Sequence, residues 1–281
     1  MSAPPLDPGL YREVVRRALA EDLGWGDTTS ELVVPEGARA TGVFVARAKV
    51  VVAGLDVALE AFRQLDPAVA MEIYRRDGES CRAGEPIAAV TGLAAPMLTA
   101  ERTALNFLRH LSGVASVTKW CVDAGGGTLR VADTRKTLPL LRTLQKHAVR
   151  VGGGISTRQS LDEGIVIKAN HARAGGGLGA CVARARAAKP ATPVHAEAAT
   201  AAEAFEAVEA GAAVVVFTGA SPSDLQQVLR QCAGRARVVV SGQVTFERLA
   251  AFASAGADVV AIGAITDSAP AADITFELRS D

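Results

Sequence analysis

One pattern dominates the second half of the chain. Between Leu129 and Ile262 a short apolar run, rich in Val and Ala, recurs six times, and helical segments separate the runs. The runs occupy 129–133, 164–168, 193–197, 213–217, 237–241 and 258–262, with helices predicted near 138–149, 171–187, 200–210, 222–232 and 245–254. Strands apolar on both sides must be covered on both sides, which is the property of a parallel sheet overlaid by helices. At least six such βα units, without a nucleotide-binding glycine fingerprint, predict an α/β fold built as a TIM-like barrel, complete or open, rather than a doubly wound sheet.

The first hundred residues have a different texture. Apolar positions three and four apart predict a helix through Tyr11–Leu19, followed by β-like runs at Gly42–Ala46 and Val50–Gly54 and a turn-rich stretch from Asp77 to Ile87. A long helix is expected from Thr99, as N-cap, towards Cys121. The expected division is an α+β domain over 1–110 and a barrel over 111–270. A last β-like run, Asp273–Leu278 within 271–281, could return to the first domain.

Composition removes several functional classes. Lys+Arg and Asp+Glu both number 30 in 281 residues, so no basic excess points to nucleic acid. Cys81, Cys121, Cys181 and Cys232 are scattered without metal-ligand or disulfide spacing, as expected of a reduced, cytoplasmic chain. Met1–Pro8 lacks the basic and apolar regions of a signal peptide, and no apolar stretch is long enough to span a bilayer.

Chemistry is expected where the strands end, because α/β barrels place it at that face. The first run ends in Asp133-Thr134-Arg135-Lys136-Thr137, with two adjacent cations suited to carboxylates or phosphates. The next ends in Lys168, and the third in Glu197; Arg158 follows the triple glycine at 152–154. Small residues, Ser241-Gly242 and Gly263-Ala264, follow the last two runs and leave backbone N–H groups accessible to phosphate. A lone strand-end Lys or Arg is usually a solvated rim residue. Arg135, Lys136, Arg158 and Lys168 together, with Glu197 on a neighbouring strand, favour one anion-binding pocket. The bland readings hold elsewhere: Gly175–Gly177 reads as a helix break, His110, His147, His171 and His195 as structural, and Trp25 and Trp120 as packing residues.

These residues also carry a family resemblance. Glu21-Asp22-Leu23-Gly24-Trp25-Gly26-Asp27-Thr28-Thr29, the stretch Leu98–Phe107, Leu111-Ser112-Gly113-Val114-Ala115, the 133–137 motif, the triple glycine and Ile167-Lys168 resemble quinolinate phosphoribosyltransferase, also called nicotinate-nucleotide pyrophosphorylase (carboxylating). The ModD-type proteins are a weaker match. The resemblance spans nearly the whole chain. It implies an N-terminal α/β sandwich, an open α/β barrel, and a homodimer whose active sites are shared between subunits. It also implies a reaction of quinolinate, or a related heteroaromatic acid, with phosphoribosyl pyrophosphate, assisted by Mg²⁺, giving a nicotinate-mononucleotide-like product after decarboxylation. Carried over by position, Arg102 would reach the site of the partner subunit. Arg135, Arg158 and Lys168 would bind the dicarboxylate with Lys136 beside them. Lys136, Lys168 and Glu197 would be the catalytic groups, with Glu197 also holding ribose and metal. Ser241, Gly242, Gly263 and Ala264 would hold the 5′-phosphate.

The match departs from the family pattern at four pocket positions. Thr157 stands where the family has histidine, Ala169 where it has aspartate, Thr218 where it has the aspartate that serves ribose and metal, and Gln243 where it has glycine. The dicarboxylate cations are retained while acids near the sugar are depleted. Two other functions are compatible with this pocket: a different reaction on an aromatic acid, and a non-catalytic dimeric binding protein.

Overall fold

The computed structural model describes residues 4–218, 221–242 and 244–279. After a 3-10 turn at Pro8–Leu10, the elements are α1 (Arg12–Leu23), α2 (Thr28–Val33), β1 (Arg39–Ala46), β2 (Val50–Val51), α3 (Leu55–Leu65), β3 (Ala70–Ile73), β4 (Ser80–Cys81), β5 (Pro86–Leu93) and α4 (Ala94–Ala124). The alternating part follows: β6 (Arg130–Ala132), α5 (Arg142–Val151), β7 (Ile165–Ile167), α6 (Ala169–Gly175), α7 (Leu178–Ala188), β8 (Val194–Ala198), α8 (Ala201–Glu209), β9 (Val214–Phe217) and α9 (Pro222–Cys232). It closes with β10 (Arg237–Val240), a 3-10 turn at Phe246–Arg248, α10 (Leu249–Ser254), β11 (Val259–Ala261), α11 (Ala264–Asp267) and β12 (Ile274–Arg279).

The chain forms two compact units. One holds the residues up to Lys119, Thr137–Gly153 and the chain from Ile265 on; the other holds Trp120–Lys136 and Gly154–Ala264. The first is built on an antiparallel sheet of order β12-β1-β5-β3. β12 pairs along β1 from Thr41↔Arg279 to Ala46↔Ile274, so the last strand of the chain lies beside the first. On one face Phe44, Phe62 of α3 and Phe276 stack with ring centroids 4.8–5.9 Å apart, within the range of favourable aromatic pairs. Val43, Val45 and Ala89 are buried together as a separate small cluster.

Local chemistry explains where the sequence-based boundaries shift. α4 starts at Ala94, not at Thr99. Pro96 is tolerated in the first turn, where no intrahelical N–H is needed. Thr99 is inside the helix, its hydroxyl placed 2.9 Å from the Ala95 carbonyl and 2.8 Å from Asp27 Oδ2. α5 starts at Arg142, later than expected, because Leu140 adopts φ 65° and the Leu138 amide donates to Gln145 Oε1 at 2.9 Å. This helix also belongs to the first unit, although its place in the sequence lies between two barrel strands. Its buried polar face finds partners there: Gln145 Nε2 bonds His110 Nε2 at 2.8 Å and the Thr266 carbonyl at 2.7 Å, and His147 Nε2 meets Asp77 Oδ2 at 3.1 Å.

The second unit is the parallel one. Its six strands run β6-β11-β10-β9-β8-β7, and every pairing is parallel. β6 and β7 are the two edges of the sheet, which makes the barrel open. Ile155, ahead of β7, forms a parallel bridge with Ala132 of β6. The glycines at 175–177 divide the predicted 171–187 helix into α6 and α7, as expected. Thr200 and Glu203 cap α8 reciprocally, and Ser221 caps α9 through the Asp224 amide.

Candidate functional site

Parallel register brings the sequence-predicted residues to one rim. The strands align at Ala132↔Ala261, Val260↔Val240, Val240↔Phe217, Phe217↔Ala198 and Ala196↔Ile167. The residues that follow therefore emerge side by side: Asp133, Ile262, Ser241, Thr218 and Lys168, with Glu197 one residue before the end of β8. Backbone bonds carry the ladder one step further, from Ser241 N to Phe217 O at 2.8 Å and from Thr218 N to Ala198 O at 2.9 Å.

At the β6 end, Asp133 is fully buried. Its carboxylate accepts from Ser156 Oγ at 2.6 Å, Thr157 N at 2.7 Å and Thr157 Oγ1 at 2.8 Å. This acid was legible as part of the cation motif but not as an anchor. An acid closing an apolar strand must find donors if it is buried, and the hydroxyl pair at 156–157 was the available signal. The altered position Thr157 thus turns its polar groups to Asp133. Arg135 and Arg158 extend from the two tethered segments. Both are half-buried, and Arg135 Nε is buried without a hydrogen-bond partner. Burial, then the nearby Arg135 charge, pulls Arg158 below the usual guanidinium pKa. Its NH1 has one long contact, 3.4 Å, to the Gly164 carbonyl. Two half-buried like charges that feel each other, with donor capacity left over, match an anionic ligand. Lys136 is exposed, its amide 3.0 Å from Thr134 Oγ1.

On the opposite edge, Lys168 Nζ lies 3.4 Å from Glu197 Oε1 in a partly solvated pair. The Lys168 amide donates to His171 Nδ1 at 3.0 Å, so His171 closes the first turn of α6, in which the altered Ala169 is exposed. His195 and Glu197 alternate with buried Val194, Ala196 and Ala198 and share one face of β8. Burial, with Arg158 and Arg237 nearby, lowers the His195 pKa and favours the neutral imidazole. Thr218 keeps its hydroxyl 3.3 Å from the Ala198 carbonyl. Gly242 turns at φ 95°, and a Cβ there would meet the Thr218 carbonyl at 3.1 Å, so only glycine makes this turn without strain. Gly263 lies between β11 and α11, and Ala264 opens α11. Gln243 lies outside the described residues.

Arg102 belongs to the first unit. It is exposed on α4, beside Glu101, whose carboxyl is pushed up by burial more than Arg102 brings it down. The tryptophans differ from expectation. Trp25 is fully exposed, and Trp120 is more than half exposed while stacking on Phe246 at 4.0 Å. Neither is buried in the core. Among the described residues no cluster of three His, Cys, Asp or Glu could hold a metal ion. Asp133 is engaged by Ser156 and Thr157, and Glu197, paired with Lys168, is the sequence-predicted rim carboxylate that would hold one. Such a donor set fits Mg²⁺ that arrives already bound to phosphate oxygens, not a bare ion caged by protein. Among the described residues no helix is long and apolar enough to cross a membrane.

Comparison with known proteins gives matches over almost the whole chain. Residues 27–112 match the N-terminal domain model of quinolinate phosphoribosyl transferase, and residues 114–277 match the C-terminal domain model. The chain is 40% identical over 277 residues to the nicotinate-nucleotide pyrophosphorylase (carboxylating) of Mycobacterium leprae, covering 95% of this chain and 96% of the relative. It is 34% identical over 271 residues to the probable enzyme of the same name from Bacillus subtilis, covering 95% and 93%. Among solved structures, NadC from Streptococcus pyogenes superposes with TM-score 0.93 at 34% identity, covering 98% of this chain and 99% of that one. The nicotinate-nucleotide pyrophosphorylase from Francisella tularensis gives TM-score 0.91 at 31% identity, covering 99% of each chain.

Proposed function

This chain belongs to the quinolinate phosphoribosyl transferase family, and from that premise we propose that it joins quinolinate to phosphoribosyl pyrophosphate and decarboxylates the adduct to nicotinate mononucleotide. The observation that carries the reading is the pair Arg135–Arg158, both half-buried at a barrel rim and within electrostatic reach of each other, with the Arg135 Nε donor unmatched. A planar dicarboxylate answers two forked guanidinium donors better than a point charge would.

In this reading Arg135, Arg158 and Lys168 hold the two carboxylates, with Lys136 beside them and Arg102 contributed by the partner subunit of a homodimer. The turns at Ser241-Gly242 and Gly263-Ala264 hold the 5′-phosphate. The ring nitrogen attacks the anomeric carbon of the ribose as the bond to the diphosphate oxygen breaks and pyrophosphate leaves. The intermediate ribose has oxocarbenium character, which Glu197 stabilises once the acid draws Lys168 away from it. Mg²⁺ carried in on the diphosphate would offset the charge developing on that leaving group. The bond to the 2-carboxylate then breaks, CO₂ departs, and the electron pair left on the ring carbon is stabilised by the adjacent cationic nitrogen until a proton is taken up. The cations orient the acid; the nitrogen supplies the electron sink. Cysteines left free are compatible with a cytoplasmic setting.

The test is product formation from quinolinate, phosphoribosyl pyrophosphate and MgCl₂, followed as nicotinate mononucleotide and released CO₂. Arg135→Ala should weaken quinolinate binding by roughly a hundredfold, the scale of losing a charge-assisted bidentate contact. Calorimetry that detects acid binding but no response to phosphoribosyl pyrophosphate with Mg²⁺ would overturn the assignment.

A further inference from the structure

Thr157 and Ser156 do more than fill an altered position. Ile155 N donates to Val131 O at 2.8 Å, and Asp133 N donates to Ile155 O at 3.1 Å, so segments 131–133 and 155–157 run together as a short parallel ladder. The Asp133 side chain extends that ladder. Oδ2 takes the Ser156 hydroxyl, and Oδ1 takes both the amide and the hydroxyl of Thr157. The carboxylate is fully buried, and a buried anion with three donors is a stiff anchor. Arg135 follows Asp133 by two residues, and Arg158 follows Thr157 by one. The ladder therefore sets the spacing of the two segments that carry these guanidiniums; burial first, and then the Arg135 charge, lowers the Arg158 pKa.

We propose that Asp133, Ser156 and Thr157 form a positioning clamp that fixes Arg158 against Arg135 and so determines affinity for the dicarboxylate, without touching it. The inference rests on the function proposed above. In this chain Thr157 is not a weakened ligand contact. Its polar groups face Asp133, and the same donors cannot serve an acid in the pocket.

Four variants and one exchange measurement test the clamp. Thr157→Val keeps the shape and removes the hydroxyl; it should weaken quinolinate binding about tenfold or more while leaving the KM for phosphoribosyl pyrophosphate within about twofold. Thr157→Ser restores the hydroxyl and should recover most of the affinity. Thr157→His introduces an imidazole but cannot reproduce the paired bonds to Asp133, so affinity should fall. Hydrogen exchange in the ligand-free protein should show the Thr157 amide protected, and Asp133→Asn should speed its exchange. Unchanged acid affinity in Thr157→Val, or tighter binding in Thr157→His, would overturn the clamp. So would rapid exchange at Thr157 in the unsubstituted protein. If that protein neither binds nor converts quinolinate, the proposed function falls instead, and the exchange measurement alone decides whether the clamp exists.

Discussion

Fully buried Asp133 is enclosed by Ser156 and Thr157, and half-buried Asp77 takes the amides of Gly54 and Leu55 at the start of α3 together with His147, so each acid is tied to partners distant in sequence. His110 is the clearest case with a pH consequence. Its Nε2 accepts from Gln145, and burial lowers its pKa below the ordinary value. The folded state therefore prefers the neutral ring. As pH falls through about 6.5 the unfolded chain takes up a proton that the folded chain resists, so stability declines until the folded pKa is reached. His195 shifts in the same direction and adds to the trend. The urea midpoint should drop between pH 7.5 and 5.5, and His110→Gln should flatten that slope; a midpoint insensitive to pH in this window would contradict the buried neutral imidazole. Arg135 and Lys168 were legible as strand-end charges, and Arg158 as the cation that follows the triple glycine. Their anchors were not, because a carboxylate in a motif looks the same in sequence whether it faces a ligand or a hydroxyl twenty residues on.

The period of the apolar pattern told strands from helices well. All six barrel strands fall within a residue or two of their expected bounds, since Val-rich runs buried on both faces have few alternatives. Helix starts were less legible. Thr99 has the residue type of a cap yet sits inside α4, and only Pro96 hinted that the first turn lay earlier. In sequence the triple glycine at 152–154 fits a flexible turn and a ligand loop equally well. Part of its cause is packing: a Cβ on Gly152 would stand 2.4 Å from the Ala115 carbonyl oxygen and 2.8 Å from Thr118 Cβ, so α5 ends in close contact with α4. Neither neighbour is a flexible chain end that could swing away. Gly152→Ala should accordingly lower stability by roughly 1–3 kcal/mol, as overpacking does, measured by urea denaturation. A loss near zero would mean that the two helices separate more easily than this contact allows.

At the scale of the whole molecule, the proposed shared site makes a prediction that no single chain can. Arg102→Ala and Arg135→Ala should each be nearly inactive as pure proteins, one for want of the arginine given to a partner, the other for want of the arginine in the barrel. Mixed and allowed to exchange, they should regain about a quarter of native activity, because half of randomly formed dimers contain one intact site out of two. No recovery, with exchange verified by mass, would mean that Arg102 acts within its own chain or not at all. The sequence by itself determined the α/β class, the strand bounds and the cations at the strand ends, because the alternation of apolar runs and the type of each closing residue are local properties. Only the tertiary structure decided the company those residues keep. It put β12 beside β1, drew α5 into the first unit through Gln145 and His147, and turned Thr157 towards Asp133. Each of those outcomes depends on which distant donor meets which buried acceptor, and that pairing exists only once the chain has closed on itself.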